Sequence, residues 1–316
     1  MVGINSPKSI DSGNETIIDK ISKEAQELYF TNDSVIFVKK MISLSILLST
    51  NDPPLTTAIQ TIDEKVQDPT YFIATYFDTK DLDQALWVYR IVRLLARYIL
   101  LFDRYFEIGN NIDALLAKRV RRSINECLLN RHDNHHLSYS LDYSLKQFWT
   151  FWKFEQFIKH QIVGGHIFSY NEIRYFNLFK SSDASLIYAR VLDAKLPSFS
   201  ENVSLVLHYN QGLLDILDDW EDIEEDVQED MPNLFVMAAL KNIPYSRIKN
   251  TRNENIRSIL LNEPGSSSAS VVRLVSDYQS SIRNIFIPNN LSFLKSLSDH
   301  YANTLLEIIS SSMNSQ

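Results

Sequence analysis

The sequence predicts an all-α fold, and three observations carry that expectation. Apolar residues recur at three- and four-residue intervals from about Thr16 onward, the spacing of one face of a helix. Glycine occurs only 7 times and proline 9 times in 316 residues. No proline interrupts the stretch from Thr70 to Leu196, and doubly wound nucleotide-binding folds or Greek-key sandwiches need glycine-rich turns that this chain lacks.

The helical stretches follow one another between short polar or proline-bearing breaks. ETIIDKISKEAQELYF opens the first, which stops at Asn51 to Pro54; a second ends around Asp78 to Asp81. LWVYRIVRLLARYILLFDRYFEIGNN is strongly helical and leads towards the break at Arg131 to His136. QFWTFWKFEQF then lies upstream of a break near Pro197 to Glu201, and LLDILDDWEDIEEDV precedes one at Asn242 to Pro244. Further breaks at Glu263 to Ser268 and Pro288 to Asn290 lead into SFLKSLSDHYANTLLEII. None is long enough for an inter-domain linker, and no repeat of roughly 20 to 50 residues is present. The expected organisation is a flexible segment 1–15, one all-α domain over 16–311 and a flexible tail 312–316.

Lys and Arg number 31 against 39 Asp and Glu, a net charge of −8, which disfavours a broad nucleic-acid-binding surface. Cys127 is the only cysteine, so no intrachain disulfide or Cys-rich zinc site can form. The first fifteen residues lack the apolar core of a signal peptide, and nothing approaches the roughly 20 apolar residues of a membrane span. The expectation is a soluble, cytoplasmic protein.

The charge is unevenly placed. Residues 215 to 230 hold ten acids, and without them the net charge of −8 becomes +2. Wound at about 100° per residue, Asp215, Asp218, Asp219, Asp222 and Asp226 share an arc of about 100°, opposite Leu213, Ile216, Leu217, Trp220, Ile223 and Val227. Six acid pairs lie four residues apart, each costing about 0.2–0.5 kcal/mol in an exposed helix. No Lys or Arg occurs between Lys195 and Lys241, so the compensating cations must come from elsewhere. Magnesium suits that need, because it takes carboxylate oxygens and shares its remaining positions with water and phosphate. Asp218, Asp219 and Asp222 spell DDxxD, and Asp218, Asp222 and Asp226 stand on successive turns of one face. The alternative is a solvated acidic segment that docks a basic partner.

About 115 residues earlier, Val92, Ala96, Ile99, Asp103, Phe106, Glu107 and Asn110 line one helical face, an apolar wall ending in an acidic rim. Here the alternative is a core-facing stripe whose last turn reaches solvent, with the acids paired to Arg104 or a neighbouring helix.

An all-α chain with acidic motifs near residues 100 and 220 resembles the class I isoprenoid synthase superfamily: terpene cyclases, trans-prenyltransferases and squalene/phytoene synthases. DDWEDIEEDVQEDMPN is similar to the second aspartate-rich region of polyprenyl synthases, with Met231-Pro232-Asn233 where that family has Gly-Lys-Pro. Asp218, Asp222 and Asp226 match the spacing of the Asn/Ser/Glu triad of terpene cyclases, and Asp103-x-x-x-Glu107 resembles the sparse DxxxD of squalene/phytoene synthases. The resemblance implies a single-domain helical barrel around an apolar pocket. It implies Asp103, Glu107, Asp218, Asp222 and Asp226 as metal ligands, Asp219 beside them, and about three magnesium ions on a prenyl diphosphate. The superfamily is commonly dimeric, so a homodimer is an expectation without an interface readable here.

For the walls, QFWTFWKFEQF offers Phe148, Trp149 and Trp152, whose rings stabilise a carbocation or simply pack a helix core. Gly164-Gly165, inside an otherwise helical stretch, suggests a break or a close approach, and a comparable irregularity in cyclases opens onto the substrate. Arg174, 44 residues before Asp218, is similar in position to the diphosphate-sensing arginine of cyclases, and its fork of donors suits phosphate; a plain surface arginine is the alternative. Where cyclases carry Arg-Tyr the chain reads His300-Tyr301; Tyr301 remains a donor, and Arg283 is a substitute cation. Lys118, Arg119, Arg121 and Arg122 read as an exposed basic face, and His132, His135 and His136 as a plain surface turn rather than a metal site.

A chain-elongating prenyltransferase also binds a second diphosphate through a Gly-Lys-x-x-Arg-type segment, and none is present; Lys39-Lys40 lacks the glycine. The expected activity is therefore that of a terpene synthase, a carbon–oxygen lyase that ionises and cyclises a C15 or C20 allylic diphosphate. A prenyltransferase of the polyprenyl or squalene/phytoene type and a non-catalytic helical interaction protein are the alternatives.

Overall fold

The computed structural model describes residues 70–314, except 80, 103–104, 106–110, 130–134, 181–199 and 263–266 and scattered positions between 82 and 100. These belong to a unit spanning Thr70–Gln316; the other unit, Met1–Pro69, lies outside the described residues, and with it the expected segment 1–15 and Lys39-Lys40. Among the described residues there are eleven α-helices, one 3-10 turn and no strand.

Helix α1 is Thr70–Thr79, with Tyr71, Ala74 and Thr75 buried. Described positions from 84 to 102 are helical and bury Trp87, Val88, Ile91, Val92, Leu94, Leu95 and Leu101. Helix α2, Asn111–Leu129, turns Ala117 and Ile124 inward and leaves Lys118, Arg119 and Arg122 exposed, as the basic face requires; Arg121 is half-buried instead.

Helix α3 spans His135–Val163, so His135 and His136 belong to its first turn and not to the expected surface turn; His132 lies outside the described residues. Its end is a Schellman cap: Gly165, at φ 75°, donates to the Ile162 carbonyl (3.0 Å) and His166 N–H to that of Gln161 (2.9 Å). Gly164-Gly165 is thus a helix stop rather than an irregularity inside a helix. Helix α4, Tyr170–Lys180, starts with a capping box in which Ser169 N–H donates to Glu172 (2.7 Å) and Glu172 N–H to the Ser169 hydroxyl (3.3 Å). Those hydrogen bonds, with His166 beside the carboxylate, hold Glu172 down to about 2.

The expected acidic helix is two helices. Helix α5, Glu201–Glu221, is capped by Ser200, and α6, Ile223–Glu229, continues it beyond a break at Asp222. Helix α7, Leu234–Ala239, is short and apolar on every side; none of its residues is more than 6% exposed, and it touches α4 and α5. Helices α8, Tyr245–Lys249, and α9, Asn253–Asn262, lead to α10, Ser267–Asn284, and α11, Phe293–Asn314. The last runs into the stretch expected to be a flexible tail.

Helix α5 packs on α11 and α4, while α7 packs against α10. Polar ties fix its rotation: Asn177 of α4 donates to the Gly212 carbonyl (3.2 Å) and Asn210 to that of Leu294 (3.1 Å). Val203, Val206, Leu207, Leu213, Ile216 and Trp220 fill the core behind it. Each fully buried side chain of this kind contributes about 1.5–3 kcal/mol.

Candidate active site

The rotation of α5 decides which acids face out. Asp218 and Asp222 are exposed, whereas Asp219 is only 1% exposed and belongs to the interior. Asp219 Oδ1 pairs with Lys180 Nζ at 2.8 Å, and its Oδ2 accepts from Leu234 N–H at 2.8 Å. Burial works to lower the Lys180 pKa, but Asp219, Asp215 and Glu155 together raise it well above the ordinary lysine range, so the ammonium stays charged. The second Asp of DDxxD therefore ties α4, α5 and α7 together and does not share the outer face of its neighbours.

Asp222 sits at the break between α5 and α6, with φ −95° and ψ 10°. Its N–H still donates to the Asp218 carbonyl (2.9 Å), and its carbonyl accepts from Asp226 N–H (2.8 Å), so the break bends the path without interrupting it. Helix α6 ends at Asp230 in the left-handed conformation, φ 58°. Asn233 then caps α7, accepting from Phe235 N–H at 3.0 Å and Val236 N–H at 3.4 Å.

The missing cations arrive from four other helices. Lys180 of α4 takes Asp219. Arg257 of α9 pairs with Glu224 (2.8 Å), donates to the Glu221 carbonyl (2.8 Å) and lies 5.1 Å from the Trp220 ring centre. Lys249 of α8 pairs with Asp230 (2.8 Å) and donates to the last carbonyls of α6, while Lys159 of α3 donates to that of Glu229. Part of the like-charge repulsion is thus relieved within the chain, without metal.

What remains is selective. No Lys or Arg among the described residues forms an ion pair with Asp218, Asp222 or Asp226, the three that stand on successive turns. Burial, then Asp218 and Glu225, raise the pKa of Asp222. Asp226 is pushed up to about 7 by burial and by Asp219 and Asp222, although the Asn233 amide, donating to its Oδ2 at 2.8 Å, pulls the other way. Protons and cations compete for such a cluster.

Among the described residues no three carboxylate, histidine or cysteine side chains converge as a metal cage. Asp218, Asp222 and Asp226 are hard oxygen donors, the type of which magnesium takes one or two while completing its shell with water and phosphate oxygens. Asp103 and Glu107 lie outside the described residues.

Arg174, on α4, has its Nε buried, and no hydrogen bond or ion pair among the described residues engages the side chain. It lies within electrostatic reach of the Tyr278 hydroxyl on α10. Burial drives that hydroxyl well above the ordinary tyrosine range, with Arg174 pulling it down and Asp215 pushing it up. Tyr278 donates to Asn177 Oδ1 at 2.7 Å. Arg174 of α4 and Asp215 of α5 thus both act electrostatically on the buried Tyr278 hydroxyl of α10.

The other candidates divide. Arg283 is committed to Asp299, through Nε at 3.0 Å and an Nη at 2.8 Å, a pair on the surface between α10 and α11. Tyr301 is half-buried on α11 beside His300, whose pKa burial lowers. Trp152 is half-buried on α3; the side chains of Phe148 and Trp149, on the same helix, lie outside the described residues. Phe151 and Phe154 from the same aromatic run pack against Phe179, and Phe154 also meets Tyr175 and Phe176, so they join α3 to α4. Lys180, Asn233 and Tyr278 escaped sequence reasoning; only Asn233, a capping residue before LFVMAA, carried a local signal.

No protein-family model matches the chain, and no curated protein matches it in sequence. Among solved structures its fold is similar to that of a polyprenyl synthase from Roseobacter denitrificans, with a TM-score of 0.55 over 91% of this chain and 99% of that one. The two are 9% identical in sequence. The chain has the all-helical fold of the isoprenoid synthase type. Among the described residues no helix is long and apolar enough to cross a membrane.

Proposed function

We propose that the chain is a class I terpene synthase: it ionises a linear allylic prenyl diphosphate of C15 or C20 length with magnesium, cyclises the product cation and releases diphosphate. One observation carries this reading. Among the described residues, cations from three other helices form ion pairs with Asp219, Glu224 and Asp230, yet none forms one with Asp218, Asp222 or Asp226.

In the proposed reaction the allylic carbon–oxygen bond breaks and its electron pair leaves with the diphosphate, so negative charge grows on the leaving group. Magnesium, about three ions, would supply the charge that neutralises it. Asp218, Asp222 and Asp226 are the proposed ligands on one side, with Asp103 and Glu107 on the other. Arg174, whose side chain no hydrogen bond or ion pair engages among the described residues, is proposed to grip the diphosphate oxygens, with Tyr301 as a further donor. Arg283 would have to leave Asp299 before doing so. Trp152, Phe148 and Trp149 are the proposed aromatic wall; a chain double bond attacks the cation to close the ring, and the new cation is neutralised by giving a proton to the released diphosphate or by adding water, which gives up its proton in turn.

The second reading is chain elongation, and the fold likeness to a polyprenyl synthase is compatible with both. Against elongation stands the absence of a Gly-Lys-x-x-Arg segment. Incubation of the purified protein with geranyl, farnesyl and geranylgeranyl diphosphates and magnesium, with and without isopentenyl diphosphate, separates the two. Cyclic hydrocarbons or alcohols formed without isopentenyl diphosphate support the cyclase; a longer linear product formed only with it establishes the transferase instead.

A further inference from the structure

We propose that Asn233 is a positioning residue, holding the second acidic motif in shape across the break at Asp222; the inference rests on the function proposed above. Its side chain is fully buried and all four of its hydrogen-bonding positions are used. The Oδ1 atom accepts from Phe235 and Val236 N–H and caps α7. One N–H of Nδ2 goes to the Asp219 carbonyl and the other to Asp226 Oδ2.

Capping does not require asparagine, since Asp, Ser and Thr cap a helix about as well. The two donors are what asparagine adds. One closes a carbonyl in the last turn of α5, where the helix would otherwise leave an orphan acceptor. The neighbouring acceptors are already taken: the Asp218 carbonyl by Asp222 N–H and the Glu221 carbonyl by Arg257. The second donor seizes the carboxylate of Asp226, on the far side of the break. A single amide thus sets the spacing between Asp226 and the Asp218/Asp222 pair, and it fixes which oxygen of Asp226 is left for a ligand. The motif is thus held from beneath by a neutral group.

The test follows thermal stability during a magnesium titration at fixed inorganic diphosphate, for wild type and for Asn233→Ser, which keeps the cap acceptor and loses the paired donors. Each protein is compared with its own melting temperature without ligand. The expected result is a magnesium half-saturation point raised about 10–100-fold in Asn233→Ser, the usual effect of removing a group that orients a ligand. If that variant does not fold, Asn233→Thr, which likewise keeps a cap acceptor, loses the paired donors and adds no charge, is read in the same way. A variant that melts lower yet keeps the wild-type magnesium midpoint reduces Asn233 to a helix cap and overturns the inference. Wild type that shows no stabilisation by magnesium with diphosphate overturns the proposed function and this inference with it.

Discussion

Lys180 Nζ lies 2.8 Å from Asp219 Oδ1, in an ion pair whose carboxylate is 1% exposed and whose ammonium side chain is 22% exposed. The pair spans 39 residues of sequence and joins α4 to α5 beneath the acidic face. Removing one partner strands a buried charge. Lys180→Met should cost about 3–5 kcal/mol of stability at neutral pH, and Lys180→Met with Asp219→Asn should recover most of it. Denaturant melts of the three proteins check this, and the deficit of the single variant should shrink as pH falls and Asp219 takes up a proton.

Asp226 carries a native pKa of about 7, against about 3.9 for an unfolded aspartate. Between those values the native state binds more protons than the unfolded one, so this group makes stability fall as pH rises from about 4 to 7. Asp226→Asn, which can still accept from Asn233, should flatten that slope. At pH 8 it should gain roughly 1–2 kcal/mol, reduced from the full linkage because the carboxylate is partly in solvent. A rise of several degrees in melting temperature at pH 8, with none at pH 4, is the expected profile. The same variant should lose its response to magnesium with diphosphate, which separates a site held under charge strain from a purely structural carboxylate.

Arg174 has a buried Nε and no partner within the described residues. A side chain with no hydrogen bond or ion pair among the described residues contributes little through its charge, so Arg174→Met should leave stability within about 1 kcal/mol of wild type. Its loss should weaken binding of inorganic diphosphate in the presence of magnesium about 10–100-fold, the worth of charge-assisted hydrogen bonds to one guanidinium. Isothermal titration measures the affinity; unchanged affinity removes Arg174 from the site.

The all-α fold was legible because helix periodicity and the scarcity of glycine and proline are local signals. So was the acidic face, since the carboxylates at 218, 222 and 226 are set by spacing alone. The inward turn of Asp219 was not legible, because a helical wheel treats α5 and α6 as one straight rod, whereas polar ties to α4 and α11 rotate it and the break at Asp222 bends it. Lys180 carried no periodic signal that could mark it as the partner of an acid 39 residues away. Arg283 stands in the sequence as a substitute cation because its partner, Asp299, lies on the next helix and leaves no local signal. Gly164-Gly165 was visible as a break, but only the φ of Gly165 and its capping bonds identify a helix end.

The central claim is that Asp218, Asp222 and Asp226 await a cation that arrives with diphosphate. Calorimetric titration of inorganic diphosphate into wild type, with and without magnesium, and into Asp222→Ala with magnesium, tests it most directly. Asp222 is exposed at the break, so the variant should melt with the wild type. The account predicts binding by wild type only when magnesium is present, and loss of that binding in Asp222→Ala together with turnover. Undiminished magnesium-dependent binding by Asp222→Ala, or none by wild type, would contradict it.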